Sequence, residues 1–378
     1  MKKVLLLGAS GSIGNQTLDI LDKYPNDLEL VAFSVGKRTE NVEKVIRKYS
    51  SIRWAYVINK DEAIKFQFKY PNITFYFGKN GLRKLVNRAK YDICVDALVG
   101  FVGMEPAILS LKRKKILCLA NKEALVSGGT IINKLLSKGK GKLYPIDSEH
   151  VALAKCLSKT KPENVKQLVI TASGGALRNV DLKDLSKCKA RDALRHPTWK
   201  MGNKITIDCA TMMNKGFEVI EAYYLFGYDI DKIKIQMHDE SLIHSAVLLN
   251  DGTYLVDYGK PDMHNPIEYA LTEGKCNFEI REVKSFEEFK GCHFREYDPN
   301  RYPLTELAKK CLSLGASKMI ALNAANEIAV NRYLNDEIGY LDIYRIVNDV
   351  VSKTRLVKNP CLSMVKHIDK ISRKEARK

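Results

Sequence analysis

The chain has 378 residues, 45% hydrophobic and 28% charged, which suits a globular protein of two or three domains and excludes a disordered or fibrous polymer. Its 62 basic and 44 acidic residues leave a formal charge of +18. The lysines are scattered and no basic tract interleaves with aromatics, so a solvated lysine-rich surface accounts for the excess better than nucleic-acid binding does. The opening Lys2-Lys3-Val-Leu-Leu-Leu has too short an apolar core for a secretory signal, and Gly8 interrupts it. Strand patterns then follow at Val4–Leu7, Leu30–Val35, Ala55–Ile58, Ile93–Leu98, Ile116–Ala120 and Leu143–Asp147, with helical patterns such as Ile13–Lys23 and Asn41–Tyr49 between them. This alternation predicts an α/β fold with a Rossmann-like, doubly wound parallel sheet over residues 1–147. The most apolar run, Ile93 to Leu111, contains Asp96, Glu105 and Pro106, so no membrane span is expected.

From Ser148 to Leu271 the pattern changes. Strands are expected at Gln167–Thr171, Ile205–Asp208, Ser245–Asn250 and Thr253–Asp257, and helices at Val151–Leu157 and Met213–Leu225. Asp251-Gly252 between two strands is a hairpin signal. A central α/β domain with a mixed sheet is expected over 148–271, then a connector over 272–300. Leu304–Ser313, Ser317–Leu334 and Leu341–Thr354 read as a C-terminal helical bundle over 301–378, with Lys370 to Lys378 as a frayed charged tail. Nine cysteines (94, 118, 156, 188, 209, 276, 292, 311 and 361) are odd in number and none has C-x-x-C spacing. They argue against a disulfide framework or zinc site and for a reducing, cytoplasmic compartment.

Two motifs carry chemistry. Val4-Leu-Leu-Leu-Gly8-Ala-Ser10-Gly11-Ser12-Ile13-Gly14 is a strand, a glycine loop and a helix start. Such a loop lets backbone amides approach a pyrophosphate. The second strand ends in Gly36-Lys37-Arg38 rather than in an acid, which suits a 2′-phosphate and predicts NADPH over NADH. The second motif is Pro145-Ile-Asp147-Ser148-Glu149-His150, with Glu218 downstream in Asn214-Lys215-Gly-Phe-Glu218. In an extended segment Asp147 and Glu149 would point the same way, and Glu218 would complete a hard-oxygen set for Mg²⁺ or Mn²⁺.

Phosphate ligands are expected from Thr171-Ala-Ser173-Gly174-Gly175, Asn214 and Lys215. The segment Arg195-His196-Pro-Thr-Trp199-Lys-Met201-Gly202-Asn203 reads as a mobile cover, lid loop 195–204. For His196 and Trp199 an ordinary packed loop is an equal alternative. His244 reads as structural. Asn121-Lys122-Glu123 follows the strand Ile116–Ala120, at the sheet edge where ligands bind, so Lys122 could face both nicotinamide and substrate.

Together these residues resemble the 1-deoxy-D-xylulose 5-phosphate reductoisomerase family. The matching stretches are Gly8–Gly14, Leu119–Leu125, Pro145–His150, Thr171–Gly175, His196–Gly202, Ala210–Gly216, Tyr258–Met263 and Asn323–Glu327, in the family's order and over nearly the full length. The resemblance implies rearrangement and NADPH-dependent reduction of 1-deoxy-D-xylulose 5-phosphate to 2-C-methyl-D-erythritol 4-phosphate. That is the committed step of non-mevalonate isoprenoid synthesis, and it implies a small phosphorylated sugar as substrate, a divalent ion, a flexible loop and a homodimer. By matching position, Asp147, Glu149 and Glu218 would bind the metal and, with Lys122, be the catalytic residues. Lys122, Ser148, Glu149, Ser173, His196, Cys209, Asn214, Lys215 and Glu218 would hold substrate. Ser10, Gly11, Ser12, Ile13, Gly36, Lys37, Arg38, Asn121, Glu123 and Gly202 would contact NADPH, and Trp199 and Met201 would belong to the lid.

The chain departs from the family at Cys209, where a serine phosphate ligand is expected, and at Ala176-Leu177, where Pro and Phe are usual. A thiol is a weak donor, so Cys209 would contribute less to phosphate binding than a hydroxyl. Two other readings compete: a different metal-dependent NADPH oxidoreductase on the same scaffold, and a non-catalytic nucleotide sensor.

Overall fold

The computed structural model describes residues 1–199, 201–275 and 285–378. Lys200 of the lid loop, and Cys276 with the rest of 276–284 in the connector, lie outside the described residues. The chain forms two units: Met1–Ala124, Ile131–Asp147 and Met263–Asn277 make the first, and Leu125–Thr130, Ser148–Asp262 and Phe278–Lys378 the second.

In chain order the first 147 residues give β1 (Lys2–Leu7), α1 (Ser12–Lys23), β2 (Leu28–Val35), α2 (Val42–Lys48), β3 (Trp54–Val57), α3 (Lys60–Lys69) and β4 (Thr74–Tyr76). There follow α4 (Gly81–Arg88), β5 (Ile93–Asp96), α5 (Met104–Lys112), β6 (Ile116–Leu119), α6 (Lys122–Leu136) and β7 (Lys142–Pro145). All seven strands are parallel, in the order β4-β3-β2-β1-β5-β6-β7. Strands covered on both faces read as continuous apolar runs, and Val4 to Leu7 are wholly buried. The order reverses between β1 and β5, which creates the crevice at the strand carboxyl ends where dinucleotides bind. The expected strands are present. The edge strand β4 escaped the sequence reading because it has three residues and Thr74 is exposed.

The remaining elements are α7 (Ser148–Leu157), β8 (Val165–Ala172), α8 (Ala190–Ala193), α9 (Asn203–Ala210), α10 (Met213–Phe226), β9 (Ile233–Met237), β10 (Ile243–Leu249) and β11 (Tyr254–Tyr258), then α11 (His264–Leu271), α12 (Pro303–Leu314), α13 (Ala316–Leu334), α14 (Tyr340–Lys353) and α15 (Leu362–Glu375). Helix α11 belongs to the first unit, where Ile267, Ala270 and Leu271 join its core and Tyr24 and Lys23 bond Glu268. The second unit holds a four-stranded mixed sheet, β11-β10-β8-β9, with β8 and β9 parallel and the β10–β11 hairpin at Asp251-Gly252 antiparallel.

Three expectations are corrected. Ile205–Asp208 is helical, not a strand: it lies inside α9, where Thr206, Ile207 and Asp208 are buried. Glu149 lies in the first turn of α7 rather than on an extended segment, because β7 ends at Pro145 and the helix starts at Ser148. The C-terminal residues are not a frayed tail: α15 runs to Glu375, and Arg373 bonds Asp369 at 2.8 Å and Glu327 of α13 at 2.8 Å.

Candidate active site

The glycine loop of the first unit is dictated by close backbone approach. Gly8 has φ +89°, and a Cβ on it would lie 2.6 Å from the Ala97 carbonyl oxygen; one on Gly14 would lie 2.2 Å from the Gly8 oxygen. The Gly8 amide donates to Ser34 Oγ at 2.9 Å, tying the loop to β2. Gly11 caps α1 with extended backbone and no side-chain acceptor, which leaves the first amides of Ser12 and Ile13 unclaimed by a side-chain cap. Gly36, Lys37 and Arg38 follow β2 and are exposed.

Asn121 caps α6 by accepting the Ala124 amide at 2.7 Å. Its Nδ2 donates to the Leu98 and Gly100 carbonyls at 2.7 and 2.8 Å, so both amide hydrogens are used. The Asn121 side chain therefore has no hydrogen left to donate to a cofactor. Lys122, next on α6, pairs its ammonium with Asp147, and both are buried. Glu123 is buried in the same first turn. One residue that sequence reasoning used only as evidence against a membrane span is Asp96, the wholly buried last residue of β5. The available signal was its position at a strand carboxyl end.

In the second unit, α10 supplies the core of the site. Its N-cap, Met212, is buried at φ 59°, a left-handed conformation that costs energy in a side-chain-bearing residue. Thr305 of α12 holds it by donating to the Met212 carbonyl at 2.7 Å. This kink turns the chain from α9 into α10 and presents Asn214 and Lys215 in the first turn. Lys215 Nζ pairs with Glu149 of α7 and, at 2.6 Å, with Glu218 one turn on. Asn214 Nδ2 donates to Glu218, and Ser148 Oγ donates to Glu149. Burial alone would lower the Lys215 pKa; Glu149 and Glu218 override it and hold the ammonium well above its ordinary value. Two carboxylates thus already converge on one positive charge. His150 locks α7 to α10 through its Nε2 and the Glu218 carbonyl at 2.9 Å, with Nδ1 3.4 Å from Glu221.

Ser173, Gly174 and Gly175 follow β8, both glycines at positive φ. A Cβ on Gly175 would lie 2.6 Å from the Ala210 amide nitrogen, so the loop rests on the end of α9, beside half-buried Cys209. His196 Nδ1 accepts the amides of Thr198 and Trp199 at 3.2 and 3.0 Å. Its Nε2 therefore carries the proton and faces Ser173 Oγ at 3.3 Å as a donor. Burial, then the charges of Arg178 and Lys215, lowers its pKa from 6.5 to about 4, so the ring is neutral. Trp199 and Met201 are half-buried, Gly202 is exposed, and the Trp199 ring stands 6.4 Å from that of His244.

The structure thus joins Ser148, Glu149, Asn214, Lys215 and Glu218 directly, and Ser173 with His196. Asp147 immediately precedes Ser148, and covalent geometry keeps its Cα within about 7 Å of that of Glu149.

Family models for 1-deoxy-D-xylulose 5-phosphate reductoisomerase match residues 4–129, its C-terminal domain matches 143–226, and a further C-terminal domain matches 258–375. The chain is similar to the enzyme of that name from Listeria welshimeri, 38% identical over 375 residues that make up 99% of this chain and 98% of the relative. It is 39% identical over 381 residues to that of an Exiguobacterium species, covering 99% and 98%. A crystal structure of DOX-P reductoisomerase in complex with NADPH, fosmidomycin and magnesium superposes with a TM-score of 0.90 at 30% identity, covering 100% of this chain and 98% of the other. The Zymomonas mobilis enzyme in complex with NADPH gives 0.89 at 31% identity, covering 99% and 98%.

Proposed function

Because the chain belongs to the 1-deoxy-D-xylulose 5-phosphate reductoisomerase family, we propose that Asp147, Glu149 and Glu218 hold its divalent cation and that Lys122, Ser148, Ser173, His196, Cys209, Asn214 and Lys215 hold its substrate. The activity is the NADPH- and metal-dependent isomerisation and reduction of 1-deoxy-D-xylulose 5-phosphate to 2-C-methyl-D-erythritol 4-phosphate, in the non-mevalonate route to isoprenoids. The observation that carries the residue assignment is the convergence of Glu149 and Glu218 on the Lys215 ammonium. Carboxylates gathered around one cation are hard donors of the kind Mg²⁺ or Mn²⁺ takes, and Asp147 is joined to this set by the chain itself.

A bound Mg²⁺ or Mn²⁺ supplies charge stabilisation to substrate oxygens during the carbon–carbon rearrangement, and NADPH supplies the hydride. The side chains do the rest. Lys215 and Asn214, in the first turn of α10, anchor the phosphate together with Ser173 and the neutral Nε2–H of His196, so that binding energy remote from the reacting carbons fixes their position. Lys122 balances the charge of Asp147 and offers its ammonium to substrate oxygen. Trp199 and Met201 cover the site and exclude water from the aldehyde intermediate. Ser10, Gly11, Ser12 and Ile13 would hold the dinucleotide, and Lys37 and Arg38 its 2′-phosphate. Gly36, Asn121, Glu123 and Gly202 line the cofactor by position in the family pattern.

Neither competing reading has an observation in its favour, since Asp147, Glu149 and Glu218 are all present and so are Asn214, Lys215 and the lid loop. Glu149→Gln is the direct test. NADPH oxidation with substrate and Mg²⁺ should fall by at least about 100-fold, while NADPH binding and the melting temperature hold. Retained turnover would remove Glu149 from the metal set.

The assembly is a homodimer working in the cytoplasm. The compartment is supported by eight described cysteines standing as thiols, and the dimer by the family pattern. Among the described residues no helix is long and apolar enough to cross a membrane.

A further inference from the structure

Asp96 ends β5 and pairs in register with Leu7, the residue before Gly8, which places it at the strand-order reversal. Its side chain has no exposure. Oδ1 accepts the Leu98 amide at 3.2 Å, and Oδ2 has no hydrogen-bond partner among the described residues. The nearby Asn121 has no donor left to offer, since Leu98 and Gly100 take both its amide hydrogens. Gly103 is pressed against the pair: a Cβ there would stand 2.8 Å from Asn121 Cγ and 3.0 Å from Asp96 Oδ1. The segment these groups hold includes Ala97, whose carbonyl abuts Gly8. Among the described residues no cation pairs with Asp96. Strands β1 and β6 face it with Leu7 and Leu119, α6 contributes the like charge of Glu123, and β5 itself contributes the buried Cys94.

We propose that Asp96 is a positioning residue for the dinucleotide site that works as a neutral carboxylic acid. Uncharged, it secures the 97–103 segment against the glycine loop; ionised, it sets a negative charge beneath the pyrophosphate and weakens NADPH binding. A lone buried carboxylate is too costly to keep ionised, so the group takes a proton instead. Burial raises its pKa to about 8, the Leu98 hydrogen bond opposes the rise, and Glu123 adds to it. The inference rests on the reading that this loop serves NADPH.

The test is NADPH titration by protein fluorescence from pH 6.5 to 9.5, without substrate, on the full chain and on Asp96→Asn. The cofactor phosphates are fully ionised over the upper part of this range. Wild-type affinity should be level to about pH 7.5 and fall about tenfold by pH 9.5, whereas the Asn variant should match it at pH 7 and stay level. Parallel pH curves overturn the proposal. Thermal melting gives an independent readout. The gain in melting temperature on Asp96→Asn should grow as pH rises from about 4 to about 8 and level off above, because only the unfolded carboxyl is ionised in that window. A pH-independent difference overturns the charge state. Failure of the wild-type protein to bind NADPH at pH 7 would instead defeat the cofactor assignment, and the melting comparison would still decide whether Asp96 is neutral.

Discussion

Cys209 and His196 are the two single side chains through which the proposed phosphate site can be tested. The thiol at 209 is half-buried beside the Ser173–Gly175 loop, where a hydroxyl would donate a stronger hydrogen bond. Cys209→Ser should therefore lower the substrate Michaelis constant, gaining about 0.5–1.5 kcal/mol, up to roughly tenfold. An unchanged constant would make the position peripheral. His196 works as a neutral donor. Its folded pKa lies below the unfolded 6.5, at about 4, so the stability it contributes is complete above pH 6.5 and is lost as pH falls from there toward 4. An NMR titration assigned with His196→Asn should show its ring resonance flat from pH 5 to 8. A midpoint near 6.5 would mean that the ring is not held as a donor to Ser173.

Among the elements, the end of β2 is where the proposed cofactor preference is tested. Lys37 and Arg38 are exposed there, and Gly36-Lys37-Arg38 contains no acid. Lys37→Glu with Arg38→Glu should raise the Michaelis constant for NADPH at least about tenfold more than that for NADH. An unchanged preference would place the 2′-phosphate elsewhere. Helix α9 shows why pattern alone misassigns a short segment. Ile205-Thr-Ile-Asp has β-branched residues and alternation, yet Asp208 is buried, because Lys204 bonds it at 2.8 Å and Asn326 of α13 donates to it at 2.8 Å. Helix α15 was hidden by its charges for a similar reason. Arg373 lies between Asp369 on its own helix and Glu327 on α13, and a sequence cannot distinguish such a pairing from a solvated tail. Arg373→Ala should cost about 2 kcal/mol of stability to urea, since it removes the cation that Asp369 and Glu327 share. A midpoint within error of wild type would restore the frayed reading.

For the whole molecule, sedimentation equilibrium at micromolar concentration should give about twice the chain mass of 42.8 kDa, and a monomer would defeat the proposed assembly. The alternation of strands and helices, the glycine loop, the basic end of β2 and the carboxylate motif were all legible in the residues, because each depends on neighbours within a few positions. They determined the α/β class and singled out the candidate dinucleotide loop and ligand set. Tertiary structure alone decided that α11 packs with the first unit although more than a hundred residues separate it from β7. It also decided that Glu149 meets Lys215 from a helix, and that Asp96 is sealed without a positive partner among the described residues. Those outcomes depend on segments distant in sequence coming together and removing water, and no local pattern records which charges that removal leaves paired.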